Sequence, residues 1–325
     1  MSQDWRPSAP IANLKKRAEL LARIRAFFAA RQVMEVDTQL LSQGSIADLH
    51  IEVMTSRYQG PLAPDGLALY LQTSPEFAMK RLLAAGSGCI YQLGKVFRNE
   101  EAGSRHNAEF TMLEWYRLDL DHHQLMDEIA ELLVYVGACH GEAIEKLSYR
   151  AAFERHLGIN PHDVPLDELQ ALCRQHCGYG DQETDRDNLL NLLVAMVIEP
   201  QLGQAGPCFL YDYPASQAAL ARTGLDAEGN AVARRFELFI HGMELANGYH
   251  ELTDAVEQER RLLAEAEQRR RLGRPINNPD QRLVAALKAG LPDCAGVALG
   301  VDRLLMVMLG AERIDQVLPF ALERA

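Results

Sequence analysis

The chain has 325 residues, 48% of them hydrophobic, and carries 33 Lys and Arg against 45 Asp and Glu, a formal charge of −12. This length and apolar content support a buried core without disulfide or metal staples and argue against disorder. The acidic balance disfavours general nucleic-acid binding, which needs clustered Lys and Arg against phosphates, although a local basic patch stays compatible with it.

No run of 18 apolar residues occurs, so no membrane span is expected. The opening MSQDWRPSAP lacks the apolar stretch of a secretory signal. Six cysteines, Cys89, Cys139, Cys173, Cys177, Cys208 and Cys294, are scattered as suits reduced thiols, and the expected compartment is the cytoplasm. Cys173 and Cys177 bracket His176, but no second pair follows at zinc-finger spacing, so one turn of helix surface is favoured over a structural zinc.

In chain order, residues 11–31 predict a helix whose apolar face is Leu14, Ala18, Leu21, Ile24 and Phe28. Residues 33–41 read as a short strand, 44–66 as mixed and turn-rich, and 67–72 as a strand. Ser74-Pro75-Glu76 then opens a helix, with Ser74 as the cap and Pro75 in the first helical position. Residues 89–98 and 109–118 predict an antiparallel hairpin around a long charged loop. Period two puts Phe110, Met112, Glu114 and Tyr116 on one face of the second strand, a mixture that suits a ligand better than a core. Residues 122–140 predict a helix. Residues 148–205 read as a helical elaboration with apolar segments near 166–173 and 188–198. Strands are expected at 208–213 and 234–241, a solvated charged helix at 254–274, and a strand followed by a helix from Gly296 to Gly310. The fold class expected is α+β, with an antiparallel sheet flanked by helices. Neither a dinucleotide fingerprint nor a P-loop is present.

Four constellations carry chemistry. Arg98, at the end of a strand beside a charged loop, has the planar fork that clamps phosphate. Glu237, Glu244 and Glu251 supply hard oxygens suited to Mg²⁺ on a polyphosphate; Glu237 and Glu244 converge only if the chain bends, which Gly242 permits. Small residues in GVALGVDRL admit close approach of a flat ligand and place Arg303 on the first turn of a helix. Glu76 sits on the first turn after Ser74-Pro75, where a carboxylate alone reads as a dipole partner. A charged surface hairpin or a buried strand packed on a helix remains the alternative for each one taken singly.

Together these segments resemble the catalytic core of class II aminoacyl-tRNA synthetases, most closely the lysyl branch. FRNE…RHN…EFTMLEWY is similar to motif 2 and GVALGVDRL to motif 3, with FELFIHGMELANGYHEL as the lysyl-type segment between them. The similarity runs from about residue 11 to the end, so residues 1–325 are expected to form one catalytic domain without the anticodon-reading OB-fold. Ala298 stands where lysyl enzymes have Gly, and Gln39 follows Asp37-Thr38 where motif 1 normally has Pro. The pattern is similar to the truncated lysyl-type branch that passes β-lysine to a lysine of elongation factor P instead of to tRNA.

The resemblance implies ATP-dependent adenylation followed by transfer to a protein ε-amine, with Mg²⁺, in a homodimer. Arg98 would hold the α-phosphate and the substrate carboxylate. Asn99 and Glu100 would serve the nucleotide, Glu100 at the adenine amino group, and Asn107 would read the ring edge. Phe110 would stack on one face of the base; Arg303 would cover the other and reach the γ-phosphate. Arg105 and His106 would lie near the terminal phosphates, Gly300 and Leu245 against the nucleotide. Glu237 and Glu244 would hold Mg²⁺. Glu251 and Tyr116 would take the side-chain ammonium of a lysine-like substrate, and Glu76 with Ser74 and Pro75 the other ammonium. Asn247 would serve the carboxylate end, and Ala298 would shape the pocket floor. The alternatives are a lysyl-tRNA-charging enzyme and a synthetase-like regulator without turnover.

Overall fold

The computed structural model describes residues 5–46, 48–49, 51–180, 182–275 and 280–325. Contacts divide the chain into two compact units, Met1–Asp119 with Leu252–Ala325, and Leu120–Glu251. Elements are numbered in chain order.

The first unit begins with α1 (Ile11–Ala30) and continues through β1 (Met34–Glu35), β2 (Leu41–Ser42), β3 (Thr55–Gly60), β4 (Ala63–Leu71), α2 (Glu76–Ala84), β5 (Ile90–Phe97) and β6 (Glu109–Leu118). The predicted first helix is present, but its buried face is Arg17, Leu20, Ile24, Phe27 and Phe28, while Ala18 is exposed. Phe28 stacks on Tyr91 at 4.4 Å and meets Trp115 edge-on at 5.4 Å, so the aromatics set the face. The strand expected at 33–41 is reduced to two-residue pieces at its ends. β3, in the segment read as turn-rich, pairs with β4 in a small sheet of order β2-β4-β3. Its polar sequence TSRYQG carries no apolar alternation to announce a strand.

The second unit holds α3 (His122–Val136), β7 (Glu145–Ser148), α4 (Tyr149–Leu157), α5 (Leu166–Cys177), α6 (Arg186–Leu193), β8 (Cys208–Pro214), β9 (Thr223–Leu225), β10 (Ala231–Ile240) and β11 (Met243–His250). A reciprocal cap starts α3: Asp121 accepts the Gln124 N–H and Gln124 accepts the Asp121 N–H, each at 2.9 Å. Gly137, at φ 83°, ends it. The strands run in the order β11-β10-β8-β7, with β9 also on β10. Residues 148–205 build this unit's core: Tyr149, Phe153, Leu169, Leu189 and Leu193 pack with Leu210, Tyr213 and Phe239 of the sheet. Cys173 is completely buried here, and burial pushes its thiol up to about 11, which leaves it an apolar filler. All six cysteines are free.

The first unit is completed by α7 (Ala255–Arg271), α8 (Gln281–Gly290), β12 (Cys294–Gly300) and α9 (Val301–Leu309). Its main sheet runs β1-β5-β6-β12, antiparallel except for the β1–β5 pair. Met79, Leu83, Leu262, Leu283 and Leu287 of α2, α7 and α8 pack with Ile90 and Tyr116. α7 differs from the solvated helix that its charge predicted. Arg269 is fully buried and pairs with Glu52 at 2.9 Å, and Gln258, Leu262 and Ala266 are buried beside it. A long aliphatic stem lets arginine line an interior while its fork finds a carboxylate. Both units are thus α+β, as the sequence predicts, and no helix among the described residues is long and apolar enough to cross a membrane.

Candidate active site

β6 is the spine of the site in the first unit. Gln92, Glu114 and Ala298 lie in one row across β5, β6 and β12; Gly94, Met112 and Gly300 form the next, and Ile90, Tyr116 and Gly296 the one beyond. β12 therefore presents Gly296, Ala298 and Gly300 next to Tyr116, Glu114 and Met112, a floor of small residues. Glu114 is 2% exposed. Its two oxygens accept the Ser74 hydroxyl and the Tyr116 hydroxyl, each at 2.7 Å. The period-two face flagged this carboxylate, but sequence reading gave it no role. It ties the Ser74-Pro75-Glu76 turn to the sheet. Ser74 Oγ also accepts the Glu76 N–H at 3.0 Å, but the helix starts one residue later than predicted, at Glu76, so Pro75 rather than Ser74 holds the cap position and no side chain caps it. Glu76 accepts from Lys80 at 2.6 Å, and Lys80 is 2% exposed. Nearby, burial and then Asp48 raise the Glu265 carboxyl to about 7; Arg261 pulls it down and Glu76 adds a small push upward. Nothing in the helical pattern of α7 singles out Glu265.

The loop between β5 and β6 holds the next group. The Arg98 N–H bonds Ala108 at 2.9 Å, and its guanidinium lies 5.3 Å from the Phe110 ring centre and 3.6 Å from Glu101. Arg98 Nε is buried with no hydrogen-bond partner. Such a donor is costly unless a ligand accepts from it. The Asn99 N–H bonds Glu52, and Glu100 is exposed at φ 64°. Asn107 is buried: its Nδ2 donates to Glu109 O at 2.7 Å and its Oδ1 accepts the Leu322 N–H at 3.0 Å. Arg105 is exposed, and His106 is open to solvent as a whole residue while its ring is partly enclosed beside Arg303.

Arg303 stands on the first turn of α9, as expected. Its Nη2 is 2.5 Å from His106 Nε2, and its Nε donates to Arg105 O at 3.3 Å. Burial and then Arg303 pull the His106 imidazole below the ordinary histidine range. Beside it Asp302 is 2% exposed and locked: Arg17 Nη1 donates at 2.5 Å, the Thr111 N–H at 2.7 Å, and Arg17 also bonds Thr111 Oγ1 at 2.6 Å. This buried clasp fixes the start of α9 on β6.

The second unit carries the other carboxylates. The chain reverses at His241 and Gly242, with φ 51° and 65°, so Glu237 and Glu244 fall on neighbouring strands. Glu237 is opposite Asn247. Leu245 is the extra residue of a bulge, after which Glu244 pairs with Phe239. Glu237 is 8% exposed and accepts from Tyr213 at 2.7 Å, Arg235 at 2.5 Å and Asn247 at 3.2 Å. Burial works against the Arg235 charge, but Glu237, then Tyr249 and Tyr213, outweigh it and hold the guanidinium above its ordinary range. These three donors hold the Glu237 carboxylate in place on β10. Glu244 is half-buried. Asn247 Oδ1 is buried without a hydrogen-bond partner. Glu251 is fully buried; Arg222 Nε bonds its carbonyl at 2.8 Å, and it bridges Ala221.

With this geometry in place, the profile of the tRNA synthetases class II (D, K and N) matches residues 3–324, and the chain belongs to that family. Among curated relatives it is 51% identical over 323 residues to a Yersinia enterocolitica protein named Elongation factor P--(R)-beta-lysine ligase, covering 99% of this chain and 98% of the relative. Proteins of the same name from Yersinia pestis and Yersinia pseudotuberculosis are 52% identical over 318 residues, 97% of each chain.

Proposed function

We infer that the chain is an ATP-dependent ligase that activates (R)-β-lysine as an aminoacyl-adenylate and transfers it to the ε-amine of a lysine on elongation factor P. Relatives of that name align along almost the whole chain. The observation that carries the reading within the molecule is the Ser74–Glu114–Tyr116 network beside the small-residue floor of β12. A buried, hydrogen-bonded carboxylate facing a strand of Gly and Ala fits a compact cationic substrate better than a core.

In the first step the substrate carboxylate attacks the α-phosphorus of ATP and pyrophosphate leaves. In the second, a protein lysine amine attacks the acyl carbon, an amide forms, and AMP leaves with loss of one proton from nitrogen. Arg98 would donate from Nε to the carboxylate or α-phosphate, its fork neutralising the charge that builds there. Phe110 and Arg303 would cover the two faces of the base, with Arg105, His106, Asn99, Glu100, Leu245 and Gly300 around the nucleotide. Asn107 has one amide hydrogen left for the ring edge once its two backbone bonds are made. Glu251 and Tyr116 would hold one ammonium, Glu76 and Ser74 the other, and Asn247 would serve the carboxylate end through the second hydrogen of its Nδ2. Mg²⁺ would ride on the ATP phosphates and meet the protein at Glu237 and Glu244, Glu237 also pairing with Arg235. No general base is required once the amine is positioned against an activated acyl group.

We further propose that residues 1–325 act as one catalytic domain, that the acceptor is protein and not tRNA, and that the enzyme is a cytoplasmic homodimer. The −12 charge and six free cysteines support these readings. Met34, Leu40 and Leu41 expose 49%, 42% and 45% of their surface around the motif 1 segment, which supports a self-association surface there.

The deciding experiment is ATP–pyrophosphate exchange with α-lysine and (R)-β-lysine side by side, followed by the mass of elongation factor P after incubation. Exchange favouring β-lysine with a matching mass gain is expected. Exchange only with α-lysine would return the tRNA-charging reading, and none with either the regulator. Ala298→Gly adds a second arm: removing the methyl opposite Glu114 is expected to move preference toward α-lysine by about tenfold, the value of one methyl group in a pocket.

A further inference from the structure

The second unit brings together His122, His123 and Asp212, none of which has a part in the ligase reaction proposed above. One ligand atom from each lies within 4.8 Å of the other two, and this is the one such group of three among the described residues. His122 Nε2 is 3.2 Å from Asp212 Oδ1. Two ligands at about 2.0–2.1 Å from a tetrahedral ion stand a little over 3 Å apart, so this pair is already at ligand spacing.

Three features set the group apart from an ordinary buried histidine. First, His122 is 3% exposed and its Nδ1 has no hydrogen-bond partner. If Nε2 donates to Asp212, Nδ1 is a buried acceptor without a donor; if Nδ1 holds the proton, the Nε2 lone pair faces a carboxylate. Neither neutral tautomer satisfies the ring. Second, Asp212 has φ 57° inside β8, a left-handed backbone that a non-glycine residue rarely adopts. It sits where the β8–β10 register shifts between Ala233 and Phe236, and a bulge of this kind re-aims a side chain. Third, His123 and His122 are ring neighbours at 4.2 Å on the first turn of α3, and Tyr211 packs edge-on against His123 at 5.1 Å, which restricts its rotation.

We propose that His122, His123 and Asp212 bind one borderline divalent transition ion of the Zn²⁺ class. Two imidazoles and a carboxylate are the donor set such ions select, and three protein ligands leave a position for water. The ion would pin the start of α3 to β8. Arg234 is its built-in competitor, 3.3 and 3.4 Å from the two Asp212 oxygens, and must yield one of them. His250 stacks on His122 at 6.5 Å and directly precedes Glu251, so occupancy also bears on the end of β11.

The test is calorimetric titration of untagged, chelator-treated full-length protein with Zn²⁺, and with Co²⁺ as a spectroscopic probe. One ion per chain is expected. His123→Ala and Asp212→Asn are each expected to weaken binding by more than about tenfold, since even outer partners of a site are worth that much. Arg234→Ala is expected to tighten it. His123 is half-buried, so His123→Ala serves where changes at buried His122 disturb folding, and circular dichroism confirms each fold. Binding that survives His123→Ala and Asp212→Asn but vanishes in Cys173→Ser/Cys177→Ser would overturn the proposal in favour of the α5 thiols. So would the absence of a stoichiometric site in the unaltered protein.

Discussion

His106 Nε2 lies 2.5 Å from Nη2 of Arg303, and the imidazole is the acceptor in that contact. Its folded pKa is lowered, by burial first and by Arg303 second. Below the unfolded value of about 6.5 the unfolded chain therefore binds more protons, and the stability carried by this group is lost as pH falls through the folded value. Proton NMR of His106 should titrate below the ordinary range and move upward in Arg303→Ala. The KM for ATP of the unaltered enzyme should rise on the acid side of about 6.5. A His106 resonance that ignores Arg303→Ala would show the two groups to be independent.

Asp302 is a positioning residue, acting through α9. Its buried pair with Arg17 predicts that Asp302→Asn costs about 3–5 kcal/mol, because it strands a guanidinium that is itself 8% exposed. Urea unfolding measures the loss. Replacing both partners by apolar residues should cost less than either single change, which separates the price of an orphaned charge from that of the contact itself.

Glu237 and Glu244 should separate cleanly. Glu237→Gln removes the counter-charge of the largely buried Arg235 and weakens the Tyr213 bond, so its first effect is on stability, about 2–3 kcal/mol. Glu244→Gln should leave the melting temperature near that of the unaltered protein and raise the Mg²⁺ concentration needed for half-maximal pyrophosphate exchange. Equal thermal losses in both variants would contradict this division of roles.

Glu265 supplies a pH effect of the opposite sense. Its carboxyl is raised to about 7, so the folded state holds a proton that the unfolded state has released, and the stability it lends is lost as pH rises through about 7. Ionised Glu265 adds negative charge near Glu76. The KM for the diamino acid should therefore fall as pH passes upward through 7, and Glu265→Gln should flatten that slope while leaving the ATP dependence unchanged.

Much of this fold is legible in the sequence. The β5–β6 hairpin, the strand–helix step at Gly300 and the placement of Arg303 all rest on local patterns, namely alternation and a glycine-rich turn into a helix. Clasps between distant segments were not legible. Arg17 with Asp302, Arg269 with Glu52, and Ser74 with Glu114 join residues 285, 217 and 40 positions apart, and no short-range pattern encodes such pairs. The same reason hid the donors on Glu237: Asn247 and Tyr213 reach it only across strand registers. β3 escaped because its pairing with β4 uses main-chain groups and few apolar side chains.

The bond from Leu322 N–H to Asn107 Oδ1 has a practical corollary. With Ala321 N–H on Ser8 Oγ at 3.0 Å and Ser8 N–H on Pro319 O at 2.8 Å, the last residues are stitched to the stretch before α1 and to the nucleotide loop. An affinity handle fused at the carboxyl end, or a trimmed expression clone, would tug on the same amide that is proposed to meet adenine. Assay preparations should carry their handle at the amino end, with a cleavable joint.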